Sequence, residues 1–63
     1  MNNGGQFVYT VEEAAKFLRL GRTSVYELIR GGELESIKVG SLRRITAAQL
    51  ERFLERKEQE ARR

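Results

Sequence analysis

The chain has 63 residues, neither cysteine nor histidine, and a formal net charge of +3 from 12 basic and 9 acidic side chains. That composition excludes a disulfide framework, the usual zinc sites and the commonest catalytic base, and no apolar run approaches the roughly 20 residues of a membrane span. A domain this small buries only about 60% of its unfolded surface, so one domain with an efficient core is expected, soluble and cytoplasmic, with no cofactor, metal or membrane partner.

Residues 1–6 (Met-Asn-Asn-Gly-Gly-Gln) are polar and read as a flexible tail, without the charged and apolar regions of a signal peptide. Phe7, Val8 and Tyr9 lead into the first helix. Thr10 followed by Glu13 is a capping box, in which each side chain satisfies a free backbone N–H. The helix then runs from Val11 to about Leu18, with Val11, Ala14, Ala15 and Leu18 forming one apolar stripe. Phe17 borders that stripe. Glu12 and Glu13 sit in the first turn, where the helix dipole favours negative charge.

Arg19-Leu20-Gly21 is long enough only for a tight turn, so the helices it joins must cross at a large angle, as in a helix-turn-helix. Leu20 is expected to plug the turn, and Gly21 caps the second helix without a side chain. That helix spans Arg22 to Arg30. At about 100° per residue, Val25, Leu28 and Ile29 face inward and Thr23, Glu27 and Arg30 face outward. Arg22 and Tyr26 lie on one border and Ser24 on the other. Gly31-Gly32 ends the helix.

A strand follows over residues 35–39, then a turn at Gly40-Ser41-Leu42 and a return strand from Arg43 to Ile45. A three-residue loop would pair Val39 with Arg43 and Ile37 with Ile45, turning both isoleucines inward and placing Arg44 on the outer face with Lys38. Thr46 with Gln49 forms a second capping box, and Ile45 with Leu50 a hydrophobic staple. The third helix starts at Ala47 and buries Leu50, Phe53 and Leu54. Past Leu54 it is charged and polar. The expected organisation is a tail over 1–6, a domain over 7–55 and a charged helical extension over 56–63.

The positive charge is concentrated centrally. Residues 16–44 hold seven basic against three acidic side chains, whereas residues 1–15 hold only two glutamates. A basic patch favours a polyanion such as nucleic acid or an anionic membrane surface, although a solvated basic face would look the same.

Several segments together resemble the excisionase family of DNA-binding domains, related to the DNA-binding half of MerR-type regulators. They are residues 9–15 (Tyr-Thr-Val-Glu-Glu-Ala-Ala), residues 23–30 (Thr-Ser-Val-Tyr-Glu-Leu-Ile-Arg), Gly32-Glu33-Leu34, residues 37–40 (Ile-Lys-Val-Gly) and Arg44-Ile45. The resemblance covers roughly Tyr9 to Leu54. It implies an α+β, mainly α fold, a small winged helix-turn-helix in the order helix-helix-β-hairpin-helix. It further implies that the second helix enters the major groove of double-stranded DNA and that the hairpin is a wing on the neighbouring minor groove or backbone. Thr23, Glu27 and Arg30 match positions facing the bases and adjacent backbone; Arg22, Ser24 and Tyr26 match positions around the phosphates. Three positions depart from the pattern: Arg19 stands where glycine is frequent, Gly21 where serine is frequent, and the wing tip is Ser41-Leu42-Arg43.

The chemistry of these side chains is compatible with that role. Arg30 can pair bidentately with guanine O6 and N7 or hold a phosphate, Glu27 can accept from cytosine N4, and Thr23 can meet a thymine methyl or a phosphate. Tyr26 can place its hydroxyl on a phosphate, and Lys38, Arg43 and Arg44, with Ser41 at the tip, suit backbone contact. Each has a plainer alternative: Glu27 pairing with Arg30 along the helix, Tyr26 covering the core edge, the wing cations discouraging edge aggregation. An enzyme is not expected, since there is no nucleophile–base set and little room for a pocket. The expected function is sequence-specific DNA binding of excisionase type, an architectural factor that bends DNA beside an attachment site and biases an integrase toward excision. Cooperative self-association on DNA would go with it. The alternatives are a small MerR-like transcriptional regulator and a protein-interaction module.

Overall fold

The computed structural model describes residues 7–62; the tail expected over residues 1–6 lies outside them. The elements are β1 (Val8–Thr10), α1 (Val11–Leu18), α2 (Arg22–Arg30), β2 (Ile37–Val39), β3 (Leu42–Thr46) and α3 (Ala47–Ala61). This is a small winged helix-turn-helix of the expected class. Both capping boxes form. Thr10 Oγ1 accepts from Glu13 N at 3.0 Å while Glu13 Oε1 accepts from Thr10 N at 2.9 Å. The Thr46–Gln49 box has both bonds at 3.0 Å. Val11, Ala14 and Ala15 of α1 are buried as their spacing predicts, and so are Ile45 and Leu50 of the staple.

The short α1–α2 turn is a left-handed stop. Arg19 has φ 59° and ψ 41°, and Leu20 N donates to Ala15 O at 2.9 Å, the long-range bond of a Schellman-type cap. A side chain in this conformation costs roughly 1–2 kcal/mol relative to right-handed backbone. Arg19→Gly is therefore expected to stabilise the domain by about 1 kcal/mol, which corresponds to roughly 4–8 °C in Tm for this size. Thermal unfolding followed by circular dichroism checks it, and an unchanged or lower Tm would mean that the Arg19 side chain offsets its own strain. Leu20 is 41% exposed and so does not plug the turn. The Ala14 and Ala15 face lets the two helices approach without it.

Two features of the sheet depart from the sequence expectation. Val8–Thr10 is a strand rather than a lead-in. It pairs antiparallel with β3, Val8 opposite Thr46, Tyr9 opposite Ile45 and Thr10 opposite Arg44, giving the order β1-β3-β2. A lone two-stranded hairpin is marginal in water; β1 covers the second edge of β3. The hairpin also has a tighter register than the one that would bury both isoleucines. Val39 pairs with Leu42, Lys38 with Arg43 and Ile37 with Arg44, around a two-residue turn at Gly40-Ser41. Gly40 has φ +64°, while Ser41 is not among the positive-φ residues. Gly-Ser is a good sequence for such a primed turn, whose twist matches that of the strands.

The register decides which side chains share a face. Lys38, Arg43, Ile45 and Tyr9 lie on one side of the sheet, and Ile37, Arg44 and Thr10 on the other. Arg44 therefore does not share a face with Lys38. Ile45 is fully buried, but Ile37 is 37% exposed. The core position expected for Ile37 belongs to Leu34, which is 1% exposed. Leu34 is held in place because its N–H and that of Glu33 both donate to Leu28 O, at 3.2 and 3.0 Å, where the chain leaves α2 through Gly32 at φ +82°.

α3 continues without a break to Ala61. Leu50 and Phe53 are buried, but Leu54, expected in the stripe, is 38% exposed. What holds the later turns is a set of basic side chains reaching the α2–β2 loop. Arg52 Nη2 lies 2.8 Å from Glu35 Oε1, Arg56 Nη2 donates to the Glu33 carbonyl, and Lys57 Nζ lies 2.7 Å from Glu33 Oε1. The hydrogen bond and charge of Lys57 hold the Glu33 carboxyl below its ordinary pKa, and Arg52 does the same to Glu35. Hydrogen bonds to Glu33 and Glu60 raise that of Lys57. Both carboxylate contributions are thus present above the ordinary carboxylate pKa and lost as pH falls through the lowered values. The Lys57 share is lost as pH rises through its raised value. All of these groups are solvent-exposed, so each contribution is small.

Candidate nucleic-acid interface

α2 presents the face its periodicity predicts. Val25 is fully buried, Leu28 and Ile29 are half-buried against the core, and Thr23, Ser24, Glu27 and Arg30 are exposed. Among the described residues the side chains of Glu27 and Arg30 have no hydrogen-bond or ion-pair partner, so the pairing along the helix that the sequence left open does not form. Arg30 occupies the last helical position, where the carbonyl end of the dipole favours a cation. At the other end, the Arg22 guanidinium lies 5.4 Å from the Tyr26 ring centroid, and its Nε is 2.8 Å from Glu12 Oε2. Tyr26 is half-buried and packs on the core, so its ring does cover the core edge.

Two clefts open along α2, one at each end of the helix. One, of about 360 Å³, separates the N-terminal half of the helix from the wing tip, with Arg22 and Tyr26 on one wall and Ser41, Arg43 and Arg44 on the other. The second, of about 530 Å³, opens at the C-terminal end of α2 and is lined by Arg30, Ser36, Arg43, Gln49 and Arg52 among others. Arg43 lines both clefts. Its Nη1 donates to Ser36 Oγ at 3.3 Å, and Arg44 Nη1 donates to the Arg43 carbonyl at 3.0 Å.

Of the ten side chains singled out in the sequence, six thus line one cleft or the other: Arg22, Tyr26, Arg30, Ser41, Arg43 and Arg44. Thr23, Ser24 and Glu27 lie on the open face of α2, and Lys38 stands on the edge strand paired with Arg43. Sequence reasoning missed Glu12, Glu35, Ser36 and Arg52 as parts of this surface. Only the Arg52–Glu35 pair, 17 residues apart, had no local signal at all. Among the described residues no cluster of His, Cys, Asp or Glu could hold a metal ion, and no helix is long and apolar enough to cross a membrane.

A model of the helix-turn-helix domain family matches residues 8–58. The chain belongs to this family. The matched stretch of the helix-turn-helix domain takes in both helices, the wing and most of α3. A protein of Saccharopolyspora erythraea named "Probable excisionase" is 51% identical over 47 residues, which are 75% of this chain and 48% of the relative. The chain therefore spans about half the length of that relative, whose name agrees with the family resemblance carried by the residues. No solved structure matches the chain.

Proposed function

We propose that this helix-turn-helix domain binds double-stranded DNA in a sequence-specific way and serves as an excisionase, an architectural factor beside an attachment site that turns an integrase toward excision. The observation that carries the reading is the joint placement of the α2 outer face and the wing around clefts lined by Arg22, Arg30, Arg43 and Arg44. In this arrangement α2 lies in the major groove, with Thr23, Glu27 and Arg30 toward base edges and Arg22, Ser24 and Tyr26 toward the strand beside it. The wing follows the backbone or the adjacent minor groove through Lys38, Ser41, Arg43 and Arg44. The identity to the Saccharopolyspora protein supports the excisionase role.

A nine-residue recognition helix offers few base contacts, so single sites bind weakly and neighbouring copies bind cooperatively. The exposed Leu42 at the wing tip is the surface for that contact. Selection of bound duplexes from a random pool, followed by footprinting, tests the proposal. Closely phased repeats beside recombination core sites support the excisionase role. A single promoter site favours a small transcriptional regulator, and no enrichment with no duplex affinity at low salt favours a protein-interaction module. At the wing, Arg44→Ala is expected to reduce the slope of log K against log salt by about one unit. Titration at several salt concentrations checks this, and an unchanged slope removes Arg44 from the backbone contacts.

A further inference from the structure

We infer that α3 supplies a further wall of the DNA-binding surface: Arg52, held by Glu35 in the free domain, transfers to a backbone phosphate at the C-terminal end of α2. The inference rests on the proposed DNA-binding reading and adds a residue that lies in neither the recognition helix nor the wing.

The cleft at this end of α2 collects three guanidinium groups, from Arg30, Arg43 and Arg52, against the single carboxylate of Glu35. They come from three different elements, α2, β3 and α3, so the convergence is a product of the fold and not of local sequence. The cleft is also well supplied with neutral donors. Ser36 Oγ lies on its wall, and Gln49, whose Oε1 is taken by Thr46 N, still has its amide nitrogen. An anion-accepting concavity with bidentate guanidinium groups and neutral donors suits the oxygens of a phosphodiester.

The Arg52–Glu35 pair fits a displaceable partner better than a structural one. Nη2 and Oε1 are 2.8 Å apart, but both side chains remain 58% exposed. An exposed pair contributes little to folding. Arg56 and Lys57 already fasten α3 to the same loop through Glu33, so the fold does not depend on Arg52. Glu35 thus acts as an internal counterion. It holds Arg52 where both residues line the cleft and sets a threshold that only a denser negative charge overcomes. The Glu12–Arg22 pair, at 2.8 Å beside the other cleft, has the same form.

The test is duplex binding by the full chain over a salt series, on a selected site and on a random duplex, for wild type, Arg52→Ala, Glu35→Gln, the double variant and Glu58→Gln. Glu58 lies on α3 outside the cleft and carries the same charge change. Arg52→Ala is expected to weaken both duplexes alike and lower the salt slope by about one unit. Glu35→Gln is expected to tighten binding roughly two- to fivefold, the size expected for releasing an exposed pair, and by more than Glu58→Gln. In the Arg52→Ala background the Glu35→Gln gain should shrink to that of Glu58→Gln. Unfolding curves run on the same samples separate binding loss from unfolding. If Arg52→Ala binds as wild type does, or Glu35→Gln merely equals Glu58→Gln, the inference falls while the DNA-binding reading stands. If wild type shows no salt-dependent duplex affinity, both fall together.

Discussion

Arg30→Ala is expected to weaken binding to the selected duplex by about 1–3 kcal/mol and to relax the base preference at one position. The residue is suited to specific reading because it has nothing else to do. It is exposed on the last turn of α2, and among the described residues its side chain has neither an ion-pair nor a hydrogen-bond partner. Its guanidinium carries no internal obligation to exchange, unlike that of Arg22, which is paired with Glu12, or of Arg52 with Glu35. Removing it leaves no buried charge orphaned, so the folding stability should stay within about 0.5 kcal/mol of wild type. Fluorescence anisotropy on the selected duplex and on a random one separates the two possible contacts. A loss confined to the selected site marks base reading. An equal loss on both would assign Arg30 to phosphate alone and move the burden of specificity to Thr23 and Glu27.

The faces of α2 were legible because their evidence is local. Val25, Leu28 and Ile29 fix the inward side by their spacing, and the opposite side follows from helix geometry alone. The two capping boxes were legible for the same reason, since donor and acceptor lie three residues apart. The hairpin was not, because two local rules compete there. Burying Ile37 with Ile45 favours a three-residue loop, and Gly40-Ser41 favours a two-residue primed turn. The turn prevails because Leu34 already fills the core, a long-range fact that periodicity does not contain. β1 escaped notice because three residues are too few to show alternation, and its partners lie 34 to 38 positions away. The basic side chains of α3 escaped for a related reason. Their glutamate partners are 17 and 24 residues off, and a charged tail reads as solvated until the loop it reaches has been placed.

Leu34→Ala should be among the most damaging single truncations in this chain. A buried leucine cut to alanine costs about 2–5 kcal/mol, whereas a 63-residue domain commands on the order of 3–9 kcal/mol in all. The position is costly for two reasons. Leu34 belongs to one core cluster with residues of α1, α2, β3 and α3, so its loss loosens all four. It also lies in the connection between α2 and β2, tied back by its N–H to Leu28 O. The spacing between α2 and the wing, and with it the geometry of both clefts, depends on that anchor. Leu34→Met conserves volume and should cost under about 1.5 kcal/mol, keeping duplex affinity. Urea unfolding of both variants, with duplex binding measured at low temperature where Leu34→Ala is most folded, checks the argument. Ile37→Ala serves as the comparison that can overturn it. In the register seen here Ile37 is 37% exposed, and its truncation should cost much less than that of Leu34. Were Ile37→Ala the worse of the two, the longer hairpin loop and an inward Ile37 would be the solution structure. Arg44 would then share its face with Lys38, and the cations of the wing would meet the DNA from the other side of the sheet.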